Sequence, residues 1–178
     1  FEATPDHTLF VTVWDDILWA WRGAPDADEW FAEVLGRPCR LVYMSDMVRR
    51  DVEPELNPEG RLVSFADGYP FLLAGEAALA DLNTRLAQPV PMNRFRPNLV
   101  FGGGPAYDDD TWEQFQVGEV PFRAVRGCGR CVLTTIDQQT AIKSPTSDPL
   151  RTLATYRIAE NSTLFGQNVT GPTHGVLR

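Results

Sequence analysis

The chain is 178 residues long, 43% hydrophobic and 22% charged, which accommodates one domain with a substantial core or two small ones. A formal net charge of −8 argues against a nucleic-acid partner, because phosphate binding calls for a basic surface. No apolar run reaches the roughly 18–20 residues of a membrane span, and no basic start followed by an apolar stretch marks a signal peptide.

Three cysteines, Cys39, Cys128 and Cys131, are too few for a disulfide framework and odd in number, so the expected compartment is the reducing cytoplasm. The glycosylation sequons at Asn161 and Asn168 accordingly read as chance matches. Positive charge is almost all arginine, with Lys143 the one lysine. That bias fits recognition of phosphates and carboxylates, and it fits arginine-favouring codon usage equally well. The chain starts at Phe1 without an initiator Met, which suggests a processed form or an excised piece.

In chain order, residues 8–14 alternate with β-branched and aromatic side chains and predict a strand. Asp26-Ala27-Asp28-Glu29 has the form of a capping box and predicts a helix with Trp30, Phe31, Val34 and Leu35 on one face. Gly36-Arg37-Pro38 ends it, and residues 40–44 predict the next strand. The polar, proline-bearing stretch 47–59 predicts a surface loop. Residues 75–86 make the clearest helix, with Leu79, Leu82 and Leu86 at helical spacing and Pro89 closing the segment.

Leu99-Val100-Phe101 predicts a strand that runs into Gly102-Gly103-Gly104-Pro105. Residues 112–117 and 120–125 predict short strands joined at Gly118-Glu119. Residues 131–136 predict another strand. Asp148-Pro149 reads as a helix start, N-cap followed by proline, with Leu150 and Leu153 as its apolar face. Strand and helix do not alternate regularly, so the pattern predicts a mixed, β-rich barrel or sandwich with peripheral helices.

Taken alone, Cys128-Gly129-Arg130-Cys131 has three meanings: half a zinc site, a redox dithiol, or two incidental thiols. Zinc needs two further ligands, and Cys39, His7 and His174 are isolated in the sequence. A redox dithiol sets its first cysteine at a helix N-terminus, whereas the β-branched run after Cys131 predicts a strand. Spacing therefore favours incidental core thiols. Arg130 shifts the balance, because a cation beside Cys131 would stabilise the thiolate that ligates a soft metal. Arg94 and Arg96 upstream, with Arg123 and Arg126, crowd the same stretches. They read as solvated surface, or as the setting for a phosphate-bearing cofactor.

Phe101-Gly102-Gly103-Gly104-Pro105 is no P-loop, since no Gly-Lys-Ser/Thr follows. Asp108-Asp109-Asp110 lacks the spaced oxygens of a calcium loop and reads as a solvated turn or helix cap. His7 and His174 have no recognisable partner and receive no role. No G-x-S-x-G element supports a serine hydrolase.

Several segments in order carry a resemblance. They are Phe65-Ala66-Asp67-Gly68-Tyr69-Pro70, residues 72–83, and Asn93-Arg94-Phe95-Arg96-Pro97-Asn98, then residues 128–135, 148–153, and Phe165-Gly166-Gln167-Asn168. Together they resemble the MOSC-domain family (molybdenum cofactor sulfurase C-terminal). The closest branch looks like the bacterial N-hydroxylated-base reductases and the mitochondrial amidoxime-reducing component. The similarity runs from about Thr12 to about Gly175.

The resemblance implies a MOSC-type β-barrel with peripheral α-helices over residues 1–178. It implies binding of the molybdenum-molybdopterin cofactor, with Cys131 as metal ligand and catalytic residue. Arg96, Asn98 and Arg130 correspond to positions at the cofactor. Gly68 and Tyr69 fall where the family's loop approaches the pterin. The mitochondrial branch has Thr-Ser there, so no hydroxyl contact is implied for Gly68. Asn168 takes a site-lining position where that branch carries tyrosine. Family members usually have an N-terminal β-barrel region and a closing C-terminal strand bearing Val-Gly-Asp, and both are expected to lie outside these residues.

The implied activity is a molybdenum-dependent reduction that removes oxygen from small N-hydroxylated compounds. Electrons would come from a donor protein or a fused ferredoxin-like domain. Two alternatives stay open: a non-catalytic cofactor or sulfur carrier domain, and a structural or regulatory module whose C-x-x-C is incidental.

Overall fold

The computed structural model describes residues 8–53, 59–172 and 175–177; His7 and His174 lie outside them. Two compact units divide the chain, Phe1–Gly68 and Tyr69–Arg178.

In the first unit, β1 (Thr8–Val13) and β2 (Asp16–Arg22) form an antiparallel hairpin, and β3 (Val42–Tyr43) pairs with β2. Between them α1 (Pro25–Leu35) begins on its proline and stops at Gly36, whose φ of 64° suits a residue without Cβ. The capping box does not form. Ala24 is the cap residue, and Asp28 is buried, taking the Leu41 N–H at 2.7 Å and the Arg22 guanidinium at 2.6 and 2.8 Å. The Leu41 bond, then Arg22, hold its carboxyl below the usual range. Trp30, Val34 and Leu35 are 58, 62 and 58% exposed, so the predicted apolar face is not a core face.

The stretch foreseen as a surface loop also holds buried residues, Arg50 and Val52. Arg50 bonds Asp16 and donates to the carbonyls of Ser64, Ala66 and Asp67. A buried guanidinium needs such partners, and here they fix the loop that leads to Gly68.

The second unit is built on a sheet curled into a half-barrel, and among the described residues strand exceeds helix at 32% to 22%, the β-rich class the sequence predicts. Its strands are β4 (Phe71–Gly75), β5 (Leu99–Phe101), β6 (Gln114–Val117), β7 (Val120–Gly129), β8 (Ile158–Ala159) and β9 (Ser162–Thr170). The order is β5-β4-β9-β7-β6, with β8 folded back on β9. Only β4 and β5 run parallel among these pairs.

Alternation along β4 divides the core. Leu73 packs with Val120, Phe122 and Val169. Its neighbour Ala74 packs with Ala78, Leu82 and Leu86 from α2 (Glu76–Arg85) and its end, with Leu153 of α3 (Leu150–Leu153), and with Phe95 and Phe165. The helix predicted at Asp148 is a single turn capped by Pro149. The Asp148 carboxylate accepts the hydroxyls of Thr152 and Thr146 and one Arg151 N–H instead. Among the described residues, no helix is long and apolar enough to cross a membrane.

Asp109 departs from the expected solvated turn: it is 2% exposed, and its Oδ1 has no partner among the described residues. Arg157 beside it is committed to Asp110, which also takes the Gln167 amide. Burial, with Asp110 adding to it, pushes the Asp109 carboxyl up to about 6. The folded protein therefore holds this proton more tightly than the unfolded chain. The stabilisation is complete below about pH 4 and is lost as pH rises through about 6. Asp109→Asn, which cannot ionise, is expected to match the wild type near pH 4 and to melt higher near pH 8. Thermal melts of both proteins across that range check this, and equal midpoints at pH 8 would count against it.

Candidate functional site

Arg130 and Cys131 directly follow the end of β7. Gly129 pairs with Leu164 and the Arg130 N–H donates to the Thr163 carbonyl at 2.7 Å, so the chain reaches Cys131 in extended form. In an extended chain, residues i and i+2 share a face. Cys128 and Arg130 accordingly meet, with Arg130 Nη1 2.9 Å from Cys128 Sγ. The sequence reading placed this cation on Cys131, and the strand period puts it on Cys128. Three extended residues span roughly 10 Å, beyond the roughly 7 Å limit for Cα atoms joined by a disulfide. None of the three cysteines is in a disulfide; Cys128 is half-buried and Cys131 exposed.

The strand predicted after Cys131 is instead a 3₁₀ turn, Val132–Thr135. Thr134 turns its N–H and its hydroxyl back onto the Cys131 carbonyl at 3.2 and 3.0 Å, and the Thr135 hydroxyl binds the Val132 carbonyl. Such local hydroxyl bonds compete with a ladder. Both threonines are buried, while Val132 and Leu133 are largely exposed.

The segment holding Arg96 and Asn98 is stitched to this turn. Arg130 Nη2 donates to the Phe95 carbonyl at 2.7 Å, and Arg94 reaches the Thr134 carbonyl and Asp137. Thr140, by its N–H and then its hydroxyl, holds the Asp137 carboxyl below the usual range. Arg96 has φ of 55°, an uncommon conformation for a side-chain-bearing residue, held only when its surroundings fix it. Its fixings are Phe95 on one side and Asn98 on the other. Asn98 accepts the Leu72 N–H on Oδ1 at 2.8 Å and donates its own N–H to the Leu72 carbonyl at 2.9 Å. Asn168 of β9 is the register partner of both Leu72 and Arg126.

Asn98 and Asn168 thus flank Leu72, and the Arg96 turn joins the Arg130-Cys131 backbone through the Phe95 carbonyl. Tyr69, half-buried, lies two residues before β4, while Gly68 closes the first unit. The Arg96 side chain is exposed and makes no hydrogen bond or ion pair among the described residues. Sequence reasoning did not assign Phe95, Thr134 or Asp137 to the site. Their signal was faint: an aromatic between two arginines, and paired threonines after a cysteine.

Comparison with known proteins defines the class. The MOSC domain model matches residues 60–178, and the chain belongs to the MOSC-domain family. Mitochondrial amidoxime-reducing component 1 of Mus musculus is 35% identical over 165 residues, covering 86% of this chain and 48% of its own length. The Homo sapiens protein of that name is 36% identical over 152 residues, covering 78% and 44%. Molybdenum cofactor sulfurase of Oryza sativa subsp. japonica is 35% identical over 159 residues, covering 77% and 18%. The chain therefore spans less than half the length of these curated relatives. It is a molybdenum-cofactor-related domain.

Proposed function

We propose that this chain binds the pyranopterin molybdenum cofactor through Cys131 and serves the reduction of N-hydroxylated compounds. The observation that carries the reading is the exposed Cys131 thiol, set next to a turn in which Arg96 has no ion-pair or hydrogen-bond partner among the described residues. Among the described residues, no three His, Cys, Asp or Glu side chains gather to hold a metal. A single thiolate suits a metal whose other ligands arrive with its cofactor. When bound, that cofactor supplies a two-electron redox centre for converting an N–OH group and two protons to N–H and water.

Within this reading each side chain has a task. The Cys131 thiolate ligates the metal, and its carbonyl is held in place by Thr134. Arg96 offers a free guanidinium fork to the cofactor's phosphate. Asn98, its oxygen committed to Leu72, keeps its amide N–H groups as donors. Arg130 already bonds Cys128 and Phe95, so it contributes fixed positive charge. Tyr69, Gly68 and Asn168 complete the proposed surroundings of the pterin. Electrons come from a donor protein or a fused ferredoxin-like domain. The free thiols fit a reducing compartment, the cytoplasm in the sequence reading and the mitochondrion in the relatives' names. The sulfurase relatives, at equal identity, support a second reading as a cofactor or sulfur carrier.

Metal analysis tests both. Protein expressed with ample cofactor is expected to hold one molybdenum per chain, lost in Cys131→Ser and kept in Cys39→Ser. Molybdenum retained in Cys131→Ser would sink the ligand assignment. Turnover of an N-hydroxylated base with an artificial electron donor decides enzyme against carrier.

A further inference from the structure

The cofactor reading leaves the first sulfur of the motif idle, yet Cys128 has the shortest sulfur contact described. Arginine can only donate hydrogen bonds, and a neutral thiol accepts them weakly. A guanidinium N–H is directed at Cys128 Sγ at 2.9 Å, and a hydrogen bond to an ionised acceptor is about twice as strong as one to a neutral acceptor. A neighbouring arginine also favours the thiolate. The other tooth of the same fork binds the Phe95 carbonyl at 2.7 Å, while Arg130 Nε is buried with no partner among the described residues. Two teeth fix the plane of the guanidinium; one leaves it free to turn.

We propose that Cys128 is a positioning residue, a thiolate that locks Arg130 onto the Phe95 carbonyl. It thereby fixes the Arg96 turn against the backbone that presents Cys131. The consequence for cofactor retention rests on the functional reading above, whereas the state of the sulfur does not. An incidental thiol at this position would be indifferent to Arg130, and Ala and Ser would replace it equally well. A thiolate anchor makes the two substitutions unequal, because serine keeps a neutral acceptor and alanine keeps none.

The first measurement uses the full chain carrying Cys39→Ser and Cys131→Ser, so that Cys128 is the one thiol. Its alkylation by iodoacetamide is followed against pH in the folded protein. The midpoint is expected about one unit or more below the ordinary thiol value of roughly 8.5, and to rise when Arg130→Gln is added. A midpoint at or above the ordinary value, or one that Arg130→Gln leaves unmoved, overturns the proposal. The second measurement is molybdenum release on dialysis of protein expressed with cofactor. Cys128→Ala is expected to release metal about ten-fold faster than wild type, with Cys128→Ser between them. Equal release from all three proteins overturns the positioning role. If wild-type protein carries no molybdenum, the cofactor reading fails on its own account, and the alkylation profile still decides Cys128.

Discussion

Gly166→Ala is expected to destabilise the second unit by about 3 kcal/mol or more, lowering its thermal midpoint by on the order of 10 °C. Gly166 has φ of 77°, and a Cβ there would run into the Leu73 carbonyl oxygen and come within 3.2 Å of Leu72 Cδ1. The obstacle is backbone of the neighbouring strand, which cannot move without disturbing the β4–β9 ladder. β9 also carries the β7 ladder, so a shift at Gly166 reaches both neighbours. Gly103 supplies the control, with φ of 85° and open space around its missing Cβ. Gly103→Ala is therefore expected to cost only the backbone term, about 1 kcal/mol. Denaturant unfolding of the two variants measures the difference, and equal losses would mean that β9 does not pass Leu73 this closely.

That strand was hard to read in the sequence for the same reasons that make it vulnerable. β9 has Gly166 and Asn168 in its middle, residue types that normally argue against a central strand. β4 passes into α2 without a turn, and four of its five residues are buried. A strand buried on both faces reads as one apolar run and merges with the helix after it. The elements that could be read carried local signals. Leu82 and Leu86 recur at helical spacing and are buried, and Gly118 sits in the two-residue turn between Val117 and Val120. At α1 and after Cys131 the local signal misled. Asp28 serves Arg22 and Leu41 across the unit, and Thr134 and Thr135 spend their hydroxyls on a tight turn.

The site was legible only in part, because long-range bonds assemble it. Arg94 meets the Thr134 carbonyl 40 residues away, Arg130 meets the Phe95 carbonyl 35 away, and Asn98 meets Leu72 26 away. Spacing cannot reveal such pairs. The spacing of C-x-x-C suggested only incidental thiols, and the ordered resemblance singled out Cys131. Even then the partner of Arg130 was misjudged, since adjacency in sequence pointed to Cys131. Two-residue periodicity, applied through Arg130, would have pointed to Cys128.

Phe95→Ala is expected to cost about 3–5 kcal/mol, the range for emptying a fully buried aromatic position, and Phe95→Leu less, because leucine keeps most of the buried volume but loses the ring stack. Phe95 is fully buried and stacked on Phe165, with ring centroids 3.9 Å apart and planes 19° from parallel. Phe165→Ala removes the same stack from the β9 side and is expected to cost a similar amount. The two truncations should differ at the site. The Phe95 backbone accepts Arg130 and leads directly into Arg96, whose positive φ stores strain of roughly 1–3 kcal/mol. Freed from its side-chain anchor, that turn can relax to an ordinary conformation. Phe165 leads instead into Gly166, whose positive φ of 77° stores no such strain because glycine has no Cβ. Hydrogen exchange at the Arg96 and Asn98 N–H groups is therefore expected to quicken more in Phe95→Ala than in Phe165→Ala at matched stability. Equal protection in both variants would mean that the turn is held by Arg130 and Asn98 alone, with the core beneath it contributing stability but no shape.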